Sequence, residues 1–165
     1  MASPRTSIRS RCTRAFTLVE ILMVIGLVGV VAAFGLFLSW ESYEATMFKS
    51  DRDILVSALH RARSQAVNNM CFDDALCTDG VAHGVYIDAA NHTYTVFEGA
   101  TYAGRHVAID QAYAGTPGVT LAGPTEVVFL ELSGNATPAS ITLTFTSGKT
   151  STIDVTSEGR ITWTN

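Results

Sequence analysis

The stretch "RAFTLVEILMVIGLVGVV", Arg14 to Val31, sets one acid against an oily run. From Ile21 to Leu38 there are eighteen residues without a charge. As a helix rising ~1.5 Å per residue they span about 27 Å, close to the roughly 30 Å of a bilayer's hydrocarbon core. Glu20 stands at the front of that run, four residues after Phe16. A carboxylate there costs several kcal/mol unless it is paired or neutralised. Either an opposite charge meets it, or it snorkels to the interface, or it takes up a proton.

The charges around the run are segregated. Arg5, Arg9, Arg11 and Arg14 precede Phe16 with no acid among them, whereas all fifteen Asp and Glu lie from Glu20 onward. Against those fifteen stand seven Lys and Arg, a net −8 for the chain after Ala15. That balance argues against broad binding to nucleic acid, where neutralised phosphates supply most of the affinity. The basic end is expected to stay cytoplasmic and everything past Trp40 to lie outside, with Trp40 and Tyr43 at the outer interface. A cleaved secretory signal is the competing reading, with Ala32 and Ala33 near the cut. The run is long for such a signal, and Glu20 interrupts its start.

"AFTLVEILMVIGLVGVVAAF" resembles the N-terminus of type IV pilins and type II secretion pseudopilins. The resemblance implies a leader, Met1–Ala15, removed by a prepilin peptidase between Ala15 and Phe16, and methylation of the new Phe16 amine by the same enzyme. It implies that Glu20 pairs with the Phe16 amine of a neighbouring subunit, which enforces register more than raw stability. The partners it implies are other pilin or pseudopilin subunits, the peptidase/methyltransferase, an inner-membrane assembly platform and membrane lipid. Ala15 replaces the family's usual Gly before the cut; a small residue still fits, with slower processing expected.

Beyond the membrane run the pattern becomes amphipathic. Met47, Phe48, Asp51, Ile54, Leu55, Ala58, Leu59, Ala62, Ala66 and Val67 recur at steps of three and four, with Lys49, Arg52, Asp53, His60, Arg61 and Arg63 largely elsewhere. No Pro occurs between Phe16 and Asn69, so one helix of about 80 Å at ~1.5 Å per residue is expected, ended by Asn68 and Asn69. Gly26, Gly29 and Gly35 serve close helix packing in lipid or local flexibility.

The stripe needs a partner surface. Strands are expected at Gly84–Asp88, Tyr94–Glu98, His106–Asp110, Val119–Leu121, Glu126–Leu132, Ile141–Thr146, Thr152–Thr156 and Arg160–Thr164. "SGKT" is a tight turn with Gly148 at positive φ, and Pro124 and Pro138 fall in loops or at strand edges. The fold class is α+β: a long N-terminal helix, half transmembrane and half amphipathic, packed on an antiparallel β-sheet domain. The parts are a leader (1–15), a transmembrane or filament-core helix (16–40), its amphipathic continuation (41–70) and a β-rich globular domain (71–165).

The helix end "ARSQAV" and the C-terminal "ITLTFTSGKTSTIDVTSEGRITWTN", with Gly159-Arg160-Ile161, are similar to the minor pseudopilin H and FimT-type minor pilin group. Members of the FimT kind can bind DNA through basic residues at this end. Here only Arg160 follows Lys149, which argues against it.

Cys12 leaves with the leader. Cys71 and Cys77 in "CFDDALC" form an even pair in an oxidising compartment, expected to be a disulfide that adds about 2 kcal/mol through its short loop. A metal site from Asp73, Asp74, Cys77, Asp79 and His83 lacks EF-hand spacing and any Cys-x-x-Cys pair, so no metal or other cofactor is expected. His60, His83, His92 and His106 are scattered, and are expected to be solvated on the helix's polar face or on strand surfaces and turns. No nucleophile elbow or phosphate-binding loop occurs, so the chain is not expected to be an enzyme. The sequence therefore reads as a structural minor pilin or pseudopilin. The competing readings are a filament-tip binding module (adhesin or DNA-uptake receptor) on the same anchor and, with least support, an anchored hydrolase.

Overall fold

A single apolar-then-amphipathic segment forms α1 (Leu18–Val67), the longest element of the chain. A computed structural model describes residues 16–72 and 80–164, with the backbone alone for 36–42. The chain divides into two units, Met1–Ser42 and Tyr43–Asn165.

In the first unit, Leu18–Gly35 has a mean hydropathy of 2.5 and none of it is buried within the chain. It is long and apolar enough to cross a membrane.

In the second unit, α1 is the spine of the core. Phe48, Leu55, Ala58, Leu59, Ala62 and Ala66 are buried, as the three-four spacing predicts. Burying a leucine such as Leu55 or Leu59 stabilises the domain by roughly 2 kcal/mol. Two details differ from the expected stripe. Val67 lies exposed at the helix end, and Arg52 is buried rather than on the polar face, because its guanidinium lies 5.9 Å from the Trp163 ring. The helix stops where expected. Asn69 takes φ 48°, its N–H donates to Ala66 O (3.0 Å), and Met70 N–H donates to Gln65 O (2.9 Å). That is a Schellman cap, with Asn in the left-handed position usually held by Gly.

Among the described residues eight strands follow: β1 (His83–Asp88), β2 (Thr93–Glu98), β3 (Gln111–Ala114), β4 (Val119–Ala122), β5 (Glu126–Phe129), β6 (Ala139–Phe145), β7 (Thr150–Val155) and β8 (Ile161–Thr164). They form two four-stranded sheets, β3-β2-β1-β5 and β4-β6-β7-β8, in which every pair is antiparallel. Both sheets reach the 43–67 half of α1: Tyr94 of β2 donates to Asp51, and Phe145 of β6 lies 6.1 Å from Phe48. The "SGKT" turn joins β6 to β7 with Gly148 at φ 85°, as expected.

Two strand expectations are corrected. His106–Asp110 is a 3-10 turn, Val107–Ile109, not a strand. Arg105 explains it: Nε donates to Asp110 Oδ2 (2.7 Å), Nη1 donates to Tyr102 O (2.8 Å), and the guanidinium lies 3.6 Å over the Tyr102 ring. Tyr102 in turn stacks on Tyr86 at 3.7 Å, so residues 99–110 fold over the outer face of β1 and β2 instead of extending the sheet. The expected strand Glu126–Leu132 ends at Phe129, because Leu132 turns to φ 59° and donates its N–H to Ala66 O at the end of α1 (2.9 Å). Gln111–Ala114 is a strand that the sequence reading did not anticipate.

Candidate functional site

The residues singled out at the start of the apolar run lie together at the beginning of α1. Phe16 is 72 % exposed and Glu20 is exposed. Thr17 caps the helix: its Oγ1 accepts Glu20 N–H at 3.2 Å, and its carbonyl accepts Ile21 N–H at 3.2 Å. Thr17-x-x-Glu20 has the pattern of a capping box, and it puts the acid in the first turn, where the helix dipole favours negative charge. Sequence reasoning explained Glu20 through a neighbouring chain and missed this local reason, although "TLVE" carries the signal. Ala15 lies outside the described residues.

Among the described residues of their unit, the apolar side chains that follow have no partner surface: Leu18, Leu22, Met23, Leu27, Val31 and Phe34 are all exposed. A continuous exposed apolar surface of this extent marks a membrane or protein contact. A Cβ added at Gly26, Gly29 or Gly35 would meet nothing within 4 Å, so no packing among the described residues requires these glycines.

The globular unit holds two buried polar centres. Asp51, fully buried on α1, accepts Thr116 N–H at Oδ1 (2.8 Å) and the Tyr94 hydroxyl at Oδ2 (3.0 Å), with His92 Nε2 at 3.2 Å from Oδ2. Thr116 lies in the connection from β3 of one sheet to β4 of the other, so this carboxylate fixes the helix to the crossing between sheets. Burial, and then the Asp51 charge, push the Tyr94 hydroxyl's pKa well up, keeping it a donor.

The second centre is His83 with Glu98, directly paired across β1 and β2 and 1 % and 3 % exposed. Val81 O can only accept, so His83 Nδ1, 3.1 Å away, carries the proton. His83 Nε2 then faces Glu98 Oε2 at 3.7 Å, too far for a hydrogen bond. Glu98 Oε2 accepts Phe72 N–H at 3.0 Å, and its Oε1 is 3.8 Å from Cys71 Sγ. Burial lowers the His83 pKa, outweighing the attraction of Glu98. The expectation that His83 and His92 are solvated is therefore corrected, since both rings turn inward onto carboxylates.

Cys77, Asp73, Asp74 and Asp79 lie outside the described residues. Among the described residues no group of three or more His, Cys, Asp or Glu side chains could hold a metal ion. At the C-terminal end, Gly159 (φ 69°) is pressed against the Gly134 carbonyl, where a Cβ would collide, and Arg63 Nη2 donates to the neighbouring Glu158 O at 3.3 Å. Arg160 is exposed.

A long N-terminal helix with an exposed apolar stretch, its later half packed on antiparallel sheets, defines the pilin class of subunit. The type II transport protein GspH family matches residues 53–159, and the chain belongs to that family. It is thus a minor pilin or pseudopilin. The fold is similar to the type IV minor pilin FimU of Pseudomonas aeruginosa, with a TM-score of 0.56 at 17% identity over 74% of this chain and 91% of that one. The minor pseudopilin EpsH of the Vibrio cholerae type 2 secretion system aligns with a TM-score of 0.49 at 14% identity, over 72% and 95%. No curated protein matches the chain.

Proposed function

We propose that the protein is a membrane-anchored subunit that enters an envelope filament, a type IV pilus or a type II secretion pseudopilus, through its N-terminal helix. The observation that carries the reading is the exposed apolar stretch Leu18–Gly35 with Glu20 at its capped start. The prepilin peptidase hydrolyses the Ala15–Phe16 bond, and the freed Phe16 amine is then methylated. The apolar stretch crosses the inner membrane once, leader side in the cytoplasm, with the β domain outside. The assembly platform then lifts the subunit from lipid into the filament. There Glu20 meets the cationic amine of a neighbour's Phe16. Each charge is costly unpaired in a low-dielectric bundle, so axial register is selected. Outside the cytoplasm, Cys71 and Cys77 close a short disulfide. A DNA receptor is the weaker reading, because the chain after Ala15 carries a net −8.

Glu20→Ala tests the pairing. The variant should be processed and retained in the membrane, but its recovery in sheared filaments should fall at least about tenfold, roughly 1.4 kcal/mol of lost register energy. Recovery equal to wild type would remove Glu20 from the assembly mechanism.

A further inference from the structure

Among the described residues, β3 lies at one edge of the sheet β3-β2-β1-β5. In the ladder with β2, Tyr113 stands opposite Tyr94 and Gly115 N–H donates to His92 O, so the odd-numbered residues turn their backbone groups toward β2. Ala112 and Ala114 therefore turn their N–H and C=O groups outward, and both residues are exposed. Edges are ordinarily blunted by Lys, Pro or an inward charge; Gln111-Ala112-Tyr113-Ala114 has none of these.

Beside this edge runs an open groove of about 850 Å³, with Ile54, Ser57, Ala58 and Tyr113 among its lining. Tyr113 faces the helix, its hydroxyl accepting from Arg61 Nη1 at 3.1 Å. A strand added to β3 would thus lie over the groove and point alternate side chains at Ile54 and Ala58. Lys49 and Arg61 also line the groove, whereas Asp53 on the same flank is engaged by Arg52 through Nε (2.9 Å) and Nη2 (2.8 Å). The groove is locally cationic in a chain that is otherwise acidic.

We propose that β3 and this groove form a β-augmentation site that takes an extended segment of another protein, apolar at alternate positions and flanked by carboxylates. Main-chain bonds to Ala112 and Ala114 supply the affinity, and the groove reads the alternating side chains. The inference goes beyond filament entry and does not depend on it, since the site lies wholly within residues 46–114.

The test uses the full chain in detergent micelles and a blocked peptide, Glu-Val-Thr-Val-Thr-Val-Glu, read by titration and by amide exchange. A Kd on the order of 100 µM is expected, with exchange at Ala112 and Ala114 slowed about tenfold. A peptide with Lys in place of both Glu should bind at least about fivefold more weakly. Ala112→Pro removes an outward N–H and spares the β2 ladder, so it should abolish binding while the chain stays folded. Methylating alternate amides of the peptide should do the same without touching the protein, which decides the matter if Ala112→Pro fails to fold. Binding that survives peptide methylation would overturn the proposal. So would protection away from β3, equal affinity for the Lys peptide, no binding at millimolar peptide, or closure of the edge by a second copy of this chain.

Discussion

Asp51 shows how one side chain can decide the arrangement of a domain. It sits within the apolar stripe of α1 and is fully buried, yet its two oxygens serve a backbone N–H, a tyrosine hydroxyl and a histidine ring on two separate segments. Asp51→Ala should leave Thr116 N–H and the Tyr94 hydroxyl buried without acceptors. A loss of about 3–5 kcal/mol in urea unfolding is expected; a loss below about 1 kcal/mol would mean that the cluster is not holding the connection between sheets. His83 gives a pH signature. Burial lowers its pKa below the ordinary 6.5, so the unfolded chain binds the extra proton first as pH falls. Stability should be highest above about 6.5 and drop as pH falls from there to about 5.5. His83→Asn keeps a donor for Val81 O but cannot titrate. Unfolding of this variant should show a flatter pH dependence over that window, and an unchanged slope would remove His83 as the cause.

At the scale of elements, regular patterns were legible and long-range ones were not. The three-four spacing of Phe48, Leu55, Leu59 and Ala62 placed the buried face of α1, and Asn68-Asn69 placed its end. The alternation in β1, β2, β6 and β7 marked those strands to within two residues. His106–Asp110 alternates equally well, but the Arg105–Asp110 ion pair folds it back. Gln111–Ala114 has two alanines and weak strand propensity; it is a strand because Tyr113 pairs with Tyr94. The start of α1 was readable to within two residues of Phe16, although its Thr17 cap was not anticipated. The Asp51 cluster was not, since its partners lie 41, 43 and 65 residues away. The turn before β8 separates two neighbours that look like one motif. Gly159→Ala drives a Cβ into the Gly134 carbonyl at a left-handed φ and should cost more than about 1 kcal/mol in thermal or urea unfolding. Arg160→Ala, on an exposed side chain, should stay within about 0.5 kcal/mol. Equal losses would mean that the pair acts as a unit.

For the whole molecule, the two units present complementary chemistry. One shows an apolar helical surface that water cannot satisfy; the other buries its own core and two polar centres. Four basic residues precede the apolar run, and the acids follow it. That asymmetry fits an anchor whose leader stays behind while the acidic domain is exported. The most direct measurement is the intact mass of the protein from the membrane fraction. The account predicts a chain lacking residues 1–15 and carrying one methyl group on Phe16. A mature chain that begins beyond Ala33, or a soluble secreted domain without the apolar stretch, would contradict it.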